Sequence, residues 1–403
     1  MTPQTDDPTS DVRPHVPLAT VVREWGRIGC LGFGGPPVHL AMLRELCVDR
    51  RRWIDDDAFE DAIAFTNLLP GPASSQLAIL SAWRVRGLAG GLLGGLAFVL
   101  PGLVLMIALA ALFLSSAPPL WVRGAGAGAG AVVAAVAVHA GWDLIRPSWR
   151  RTVGHRRSRW LAYAVAGVVA TVLVGTWLVV VLVACGVIEL LVRRPRGRLP
   201  IPRRASGRLQ VHAWPLMLVA ALGSAGGVGA LAWTAFKVGA LSYGSGFVII
   251  PLMQADAVDR YGWMTDARFL DAVALGQVTP GPVVHTVSAV GYAAHGLGGA
   301  VLAAVVAFAP SFALVLGLAP RFERLRRNEG LRAFLDGAGP AAIGAILGAA
   351  VPLALALSET WQVVLLAAAF PALLVLRASV ITTLLAGGVI GVTIVLLGGP
   401  VPA

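Results

Sequence analysis

Apolar residues along this chain gather into runs of membrane-spanning length, separated by short polar segments rich in arginine. Uniform runs occupy about 88–116, 120–145, 161–192, 214–235, 297–320, 333–357 and 361–398. Less uniform runs, interrupted by Gly, Pro and polar residues, occupy about 18–43, 58–83, 236–253 and 270–293. A helix of about 20 apolar residues crosses the hydrocarbon core of a bilayer, and inside that core every N–H and C=O must be bonded within the protein. Each run therefore predicts a helix. A membrane barrel would show short segments of alternating polarity instead, and none occur. The runs 161–192 and 361–398 exceed one span, so each predicts a helical hairpin, turning near Gly175 and near Arg377.

Composition agrees with a lipid-embedded chain. Hydrophobic residues make up 57% of the 403 and charged residues only 13%, with a mean hydropathy of +0.77, far from the balance of soluble domains. The formal net charge of +11 lies in loops between apolar runs, where membrane proteins keep cytoplasmic positive charge, and this placement argues against nucleic-acid binding. Cys30, Cys47 and Cys185 have no metal-ligand spacing, and their odd number argues against a disulfide framework. The first 17 residues form a polar tail without the basic and apolar regions of a signal peptide.

Self-similarity changes the picture most. A shift of 210 residues lays Gly29 on Gly239, Gly34 on Gly244, Asp49-Arg50 on Asp259-Arg260, Trp53 on Trp263, Phe59 on Phe269, Asp61 on Asp271, and Pro70-Gly71-Pro72 on Pro280-Gly281-Pro282. After a one-residue slip Gly87 meets Gly296 and Pro101 meets Pro310, and further on Gly124-Ala125-Gly126 meets Gly337-Ala338-Gly339. The organisation read from this is a tail (1–17), a first repeat (18–192), a basic cytoplasmic linker (193–213), an extra helix (214–235) and a second repeat (236–400). Arg146, Arg150, Arg151, Arg156, Arg157 and Arg159 mark one first-half loop as cytoplasmic, whereas the equivalent second-half loop, Ser358-Glu359-Thr360, has no cation. Its neighbour, with Arg321, Arg324, Arg326, Arg327 and Arg332, carries the charge instead. A half inserted upside down shows this switch, and segment 214–235 supplies the inverting span. The fold class expected is an all-α polytopic membrane protein of two inverted homologous repeats, about 13 spans in all, with helices broken at the Pro-Gly-Pro motifs.

Those breaks are the candidate site. Gly32-Phe33-Gly34-Gly35-Pro36-Pro37 is mirrored by Ser242-Tyr243-Gly244-Ser245-Gly246, and Pro70-Gly71-Pro72-Ala73-Ser74-Ser75-Gln76 by Pro280-Gly281-Pro282-Val283-Val284-His285-Thr286. Gly costs about 1 kcal/mol and Pro about 3 in a helix interior relative to Ala, so the helices unwind there and restart after the second proline. A restarted helix offers free N–H donors and the positive end of its dipole to an anion. Ser74, Ser75, Gln76, His285 and Thr286 add side-chain groups, and Gly34, Gly35, Gly244 and Gly246 let backbone approach. A lone Gly-Pro break is commonly only a packing kink; four at matched positions argue for a substrate site at the repeat interface. Arg27 and Lys237 share a repeat position and suit an anion vestibule, with snorkelling to the interface as the competing role. His39, Asp61 and Asp271 are candidates for proton coupling, against plain helix packing or an exposed helix face. The acids Asp55, Asp56, Asp57, Glu60 and Asp61 look like a metal cluster, but the partner region Thr265-Asp266-Ala267-Arg268 keeps only helix-start chemistry, so no metal is expected.

The residues Phe33-Gly34-Gly35-Pro36, His39, Trp53, Asn67-Leu68-Leu69-Pro70-Gly71-Pro72, Lys237-Val238-Gly239-Ala240-Leu241, Gly244, Trp263, Phe269-Leu270-Asp271, Leu275-Gly276-Gln277, Thr279-Pro280-Gly281-Pro282 and Pro310-Ser311-Phe312 resemble the motifs of the chromate ion transporters in their long two-domain form. The resemblance covers about residues 20–400. It implies a protein of the cytoplasmic membrane that exports chromate, a tetrahedral dianion, with export linked to the proton-motive force. Many members resemble Pro-Gly-Pro-Asn-Ser-Thr-Glu after the first break; here Ala73 and Gln76 replace the Asn and Glu, which bears on coupling more than on anion binding. The partners expected are an inorganic oxyanion and the lipid bilayer, with no cofactor; a homodimer is compatible with this architecture. Rival readings are a sulfate or other oxyanion permease, a non-transporting sensor, and an intramembrane enzyme, for which no His-Glu-x-x-His or Gly-x-Ser-x-Gly pattern is present.

Overall fold

Long apolar runs in a chain that must bond its own backbone become helices, and all regular structure among the described residues is helical. The computed structural model describes residues 16–67, 69–115, 117–150, 152, 154, 156–173, 178–193, 227–242, 248–321 and 328–402. The first half contains α1 (Leu18–Leu31), α2 (Pro36–Arg44, continued by a π turn Glu45–Arg50), α3 (Asp56–Thr66), α4 (Ala73–Phe113), α5 (Leu120–Ala131), α6 (Val133–Arg150), α7 (Arg156–Leu173) and α8 (Leu178–Arg193). The second contains α9 (Gly227–Leu241), α10 (Ile249–Gln254, continued by a π turn Ala255–Arg260), α11 (Asp266–Val278), α12 (Thr286–Leu318), α13 (Glu329–Leu355), α14 (Thr360–Leu374) and α15 (Val380–Leu396). The order repeats, including the two π turns, with α13 standing where the first half has α5 and α6. Of the expected extra helix at 214–235, residues 214–226 lie outside the described residues, as does the linker beyond Arg193, and 227–235 belong to α9.

The uniform and interrupted runs fold differently. In the interrupted runs the chain turns back on itself: Glu24 on α1 pairs with Arg50 and Arg51 at the far end of α2 at 2.9 and 2.8 Å, and Trp25 stacks on Trp53. Arg84 donates to the carbonyl of Ala58, joining the start of α3 to α4. Thr234 and Lys237 on α9 likewise reach Asp256 past the end of α10. A straight α4 of 41 residues would be about 60 Å long, twice the hydrocarbon thickness. Instead it reverses at Arg86–Gly87, where Gly87 has φ 63°, a left-handed conformation that glycine adopts without penalty. The two arms then pack closely, with Gly90 and Gly94 against Ala82. α12 reverses in the same way at His295–Gly296, with φ 61° at the glycine, and Gly291 faces Gly299.

The halves interlock through small residues. α13 of the second half packs on α7 and α8 of the first, and α5 of the first packs on α14 and α15 of the second. Gly344 lies on Ala164, Gly167 on Ala341 and Gly337 on Cys185, while Gly124 and Gly128 lie on Gly391 and Gly387. Close backbone approach is how helices gain van der Waals contact where lipid removes the hydrophobic drive to associate. On the outside the pattern is inverted relative to a soluble protein: Leu88, Leu92, Leu96, Leu100 and Val104 form an exposed stripe along the second arm of α4, and Leu297, Val301 and Val305 one along α12. Four described helical stretches, 73–113, 120–150, 283–318 and 329–355, are long and apolar enough to cross a membrane. The predicted turn near Arg377 falls between α14 and α15, with Arg377 at φ 55°; the one near Gly175 falls at 174–177, outside the described residues.

Packing this close sets a test. A methyl group at Gly344 would collide with the carbonyl oxygen of Ala164, whereas one at Gly298 meets nothing within 4 Å. Gly344→Ala is expected to destabilise the purified protein by about 1–3 kcal/mol, the usual cost of overpacking, and Gly298→Ala to be neutral. Thermal unfolding in detergent reads both; equal unfolding temperatures would mean that this contact does not hold the halves together.

Candidate functional site

The breaks take the form their sequence predicts. α1 ends at Gly32, and α2 restarts with Pro36 at its first position after Gly34 and Gly35, both at positive φ. α4 starts at Ala73 with Pro72 as its cap, and Pro282 precedes the short 3₁₀ turn Val283–His285 that leads into α12. Proline at such a start costs no hydrogen bond, because the first N–H groups of a helix have no partner within it. Gly71 (φ 124°) and Gly281 (φ 94°) hold the turn between the prolines, in a region that residues with a Cβ rarely enter. Gly244 and Gly246, in the fourth break, lie outside the described residues.

The breaks pair across the halves and exchange hydrogen bonds there. Gly71 N–H donates to the carbonyl of Ser242 at 2.7 Å, and Gly281 N–H donates to the carbonyl of Gly32 at 3.1 Å. Gly32 and Ser242 are repeat equivalents, so one contact is made twice with the halves exchanged. Next to each Pro-Gly-Pro stands a small residue from the other half: Ser311, which follows Pro310, against Gly71, and Gly102, which follows Pro101, against Pro280 and His285. The N–H groups of Gly71 and Gly281 are thus engaged within the protein.

Those side chains are buried, and several lack partners. Ser74, Ser75, Gln76, His285, Thr286 and Ser311 are 0–1% exposed. Gln76 donates to the carbonyl of Pro70 and Thr286 to that of Val283. The hydroxyls of Ser75 and Ser311, Oε1 of Gln76 and both ring nitrogens of His285 have no hydrogen-bond partner. Burying a polar group unpaired costs on the order of 1–3 kcal/mol, so each of these groups calls for a partner or an explanation. His39 is also buried, with Nε2 2.8 Å from the carbonyl oxygen of Gly32 and the ring edge-on to Phe98; it braces the first break.

The charged candidates part company. Arg27 is exposed on α1. Lys237, its repeat equivalent, is buried and ion-paired with Asp256, whose Oδ2 also accepts from Thr234 at 2.8 Å. Asp61 is half-buried on α3. Asp271 lies against Gly126 and faces a cavity of about 620 Å³ that Arg123, Arg268 and Gln362 also line. A larger cavity, about 1130 Å³, lies between the α7–α8 ends and α9–α11, with Lys237, Gln254, Asp259, Arg260 and Asp266 among its walls. The acidic run at 55–61 is drawn to Arg44, which pairs with Asp56 and Glu60.

Sequence reasoning singled out the Pro-Gly-Pro residues as a site but not Ser311 or Gly102 beside them, and it missed two carboxylates. Glu24 has Thr234 as its repeat mate and Asp256 has Leu46, so neither stood out when the halves were compared. Their signal was a carboxylate within an apolar helix, which is costly without a partner.

Comparison with known proteins gives this junction its context. The sequence model of the family described as "Chromate transporter" matches residues 19–190 and 229–392, so both Pro-Gly-Pro blocks fall inside it. The chromate transport protein of Cupriavidus metallidurans is 32% identical over 367 residues, 87% of each chain. That of Pseudomonas aeruginosa is 31% identical over 369 residues, covering 88% of this chain and 85% of its own. The probable chromate transport protein of Synechococcus elongatus is 30% identical over 342 residues, covering 85% and 86%. No solved structure matches. With the family matched across both halves and helices apolar and long enough to cross a bilayer, this chain is a multi-pass membrane protein that belongs to the chromate transporter family.

Proposed function

We propose that the chain is a secondary active transporter of the cytoplasmic membrane that exports chromate, driven by the proton-motive force, and so confers chromate resistance. The observation that supports the site assignment is the reciprocal pair of bonds, Gly71 to Ser242 and Gly281 to Gly32, which joins the breaks of the two halves, with unpartnered groups on Ser75, Gln76, His285 and Ser311 in or beside them. Hydroxyl and amide N–H groups and the starts of α4 and α12 provide donors for a tetrahedral oxyanion. Such donors read size and charge, so sulfate and related dianions are the natural competitors, and a permease for one of them is the alternative.

In this reading the halves are inverted and the four interrupted segments are re-entrant. Crossings then number four in each half: the second arm of α4, α5 with α6, α7 and α8, and their counterparts, the second arm of α12, α13, α14 and α15. Inversion needs a further crossing between α8 and α9, in residues 194–226, which lie outside the described residues. This count stands in place of the about 13 spans expected when each interrupted run is taken as a crossing. The re-entrant reading is supported by the contacts that bring Glu24 to Arg50, Arg84 to Ala58 and Lys237 to Asp256. Alternating access comes from one half rocking against the other. Rocking breaks the two reciprocal bonds, each worth about 0.5–1.5 kcal/mol net, a barrier low enough to cross in every cycle.

Two results check this. A Cβ at Gly71 would strike the Gln76 amide and the Ser311 hydroxyl, and Gly281 is held at φ 94°. Gly71→Ala and Gly281→Ala are each expected to lower respiration-driven chromate accumulation in everted vesicles by about 100-fold, the scale of a misplaced binding group, with the protein still in the membrane. Normal transport by either variant would sink the site, and wild-type vesicles that move sulfate but not chromate would replace the substrate. For the topology, Asp55 and Thr265 are exposed repeat equivalents at the starts of α3 and α11. In a cysteine-free background, Thr265→Cys is expected to react with an impermeant maleimide on intact cells and Asp55→Cys only after permeabilisation; labelling of both from one side would rule out the inversion.

A further inference from the structure

The buried ion pair beside the larger cavity is the feature that the junction does not explain. Asp256 is fully buried, and its Oδ2 accepts from both Lys237 Nζ and Thr234 Oγ1. Its Oδ1 is buried without any hydrogen-bond partner. Lys237 lines the 1130 Å³ cavity, with its ammonium 5.8 Å from the centre of the Trp233 ring. At the matching place in the first half, Glu24 is saturated by two guanidinium groups, Arg50 and Arg51, and the cation equivalent to Lys237, Arg27, is exposed. The second half therefore holds a one-to-one pair with a half-satisfied carboxylate, at the wall of a cavity, where the first half holds a closed cluster.

We propose that Asp256 is an internal competitor of the transported oxyanion for Lys237, and that a proton on Asp256 decides which of the two holds the ammonium. This rests on the oxyanion reading above. An ionised carboxylate left buried without its cation is strongly disfavoured, so Lys237 cannot turn to an anion in the cavity unless Asp256 is neutralised. A proton on Asp256 removes that constraint and frees the ammonium; loss of the proton draws Lys237 back and expels the anion. Proton and anion thus bind together, one proton per anion, and affinity falls as pH rises. On the topology proposed above this cavity opens to the outside, so the proton leaves with the anion. The exported charge drops from two to one, and export remains driven by the inside-negative potential. The other groups around Asp256 are the phenol of Tyr261, Asp259 and Arg260 on its own segment and Asp266 at the start of α11. Asp266 is held by the amide of Gln254 and Arg260 lies over Tyr261.

Equilibrium binding of chromate to the purified protein from pH 5 to pH 8 tests this, with wild type and variants compared at each pH so that the anion's own protonation cancels. Asp256→Asn is expected to bind tighter than wild type, by a margin that widens as pH rises, since one linked proton changes affinity by up to about tenfold per pH unit. Asp256→Glu restores the wild-type slope, and Lys237→Gln binds weakly throughout. Thr234→Val, nearly isosteric, removes one donor to the carboxylate and moves the fall in affinity to higher pH, which keeps the test open if Asp256→Asn does not fold. An Asp256→Asn curve parallel to wild type, a Thr234→Val curve superimposed on it, or wild-type affinity in Lys237→Gln overturns the competition. Wild-type protein that binds no chromate at any pH fails differently: it removes the oxyanion reading itself, and this inference with it.

Discussion

A helix that stops inside a bilayer leaves N–H and C=O groups that hydrocarbon cannot satisfy. This chain interrupts its apolar runs four times, at Gly32–Gly35, Pro70–Pro72, Ser242 and Pro280–Pro282, and in the proposed reading these stops lie within the membrane. Two of the bonds that make such stops tolerable come from the opposite half, Gly71 to Ser242 and Gly281 to Gly32. Neither half closes its own breaks completely, so the breaks and the interface between the halves are one object. The tight packing of α13 on α7 and α8 and of α5 on α15 then serves to hold two exchanged contacts in register over a long molecule.

Equivalence of position does not mean equivalence of chemistry. Ser75 stands where the second half has His285, Gln76 where it has Thr286, and Gly102 where it has Ser311. Each exchange leaves the backbone path alone and changes what the junction offers: hydroxyls and an amide on one side, an imidazole and hydroxyls on the other. The backbone demands small residues and prolines at fixed places, and the remaining positions are free to differ. The same division separates the two outer hairpins, where Glu24 is locked by two arginines and Asp256 shares one lysine.

Much of this was legible in the sequence, for physical reasons. Membrane helices declare themselves through long apolar runs, and Pro-Gly-Pro can hardly continue a helix, so the helical class, the repeat and the break positions follow from residue types alone. The reversals at Arg86–Gly87 and His295–Gly296 were harder to read, because a single glycine in an apolar run usually continues the helix and only the close approach of Gly90 and Gly94 to Ala82 reveals the turn. For the same reason the interrupted runs read in the sequence as crossings, a count that the proposed re-entrant reading lowers. Arg27 and Lys237 looked alike in the repeat and differ because their partners come from a distant part of the fold: position 256 carries an acid and position 46 a leucine. Position along the chain carried the break residues, whereas the ion pairs depend on which residues the hairpins bring together.

A site for a dianion inside a membrane protein faces two opposed requirements. Neutral donors alone recover only part of the hydration that the anion gives up, while a free ammonium held permanently beside it would retain the anion and slow its release. In the proposed reading the side chains beside Gly71 and Gly281 supply the first kind of group, since they are neutral or, for His285, buried with no hydrogen-bond partner. Lys237 supplies the second kind, and Asp256 keeps it occupied. A cation with a built-in counterion is attractive to a passing anion only while that counterion is neutralised, so binding can be strong in one protonation state and weak in the other. Placing that pair in only one half gives an otherwise two-fold arrangement a difference between its two sides, and it is this difference, rather than the symmetric breaks, that is suited to link anion release to a proton.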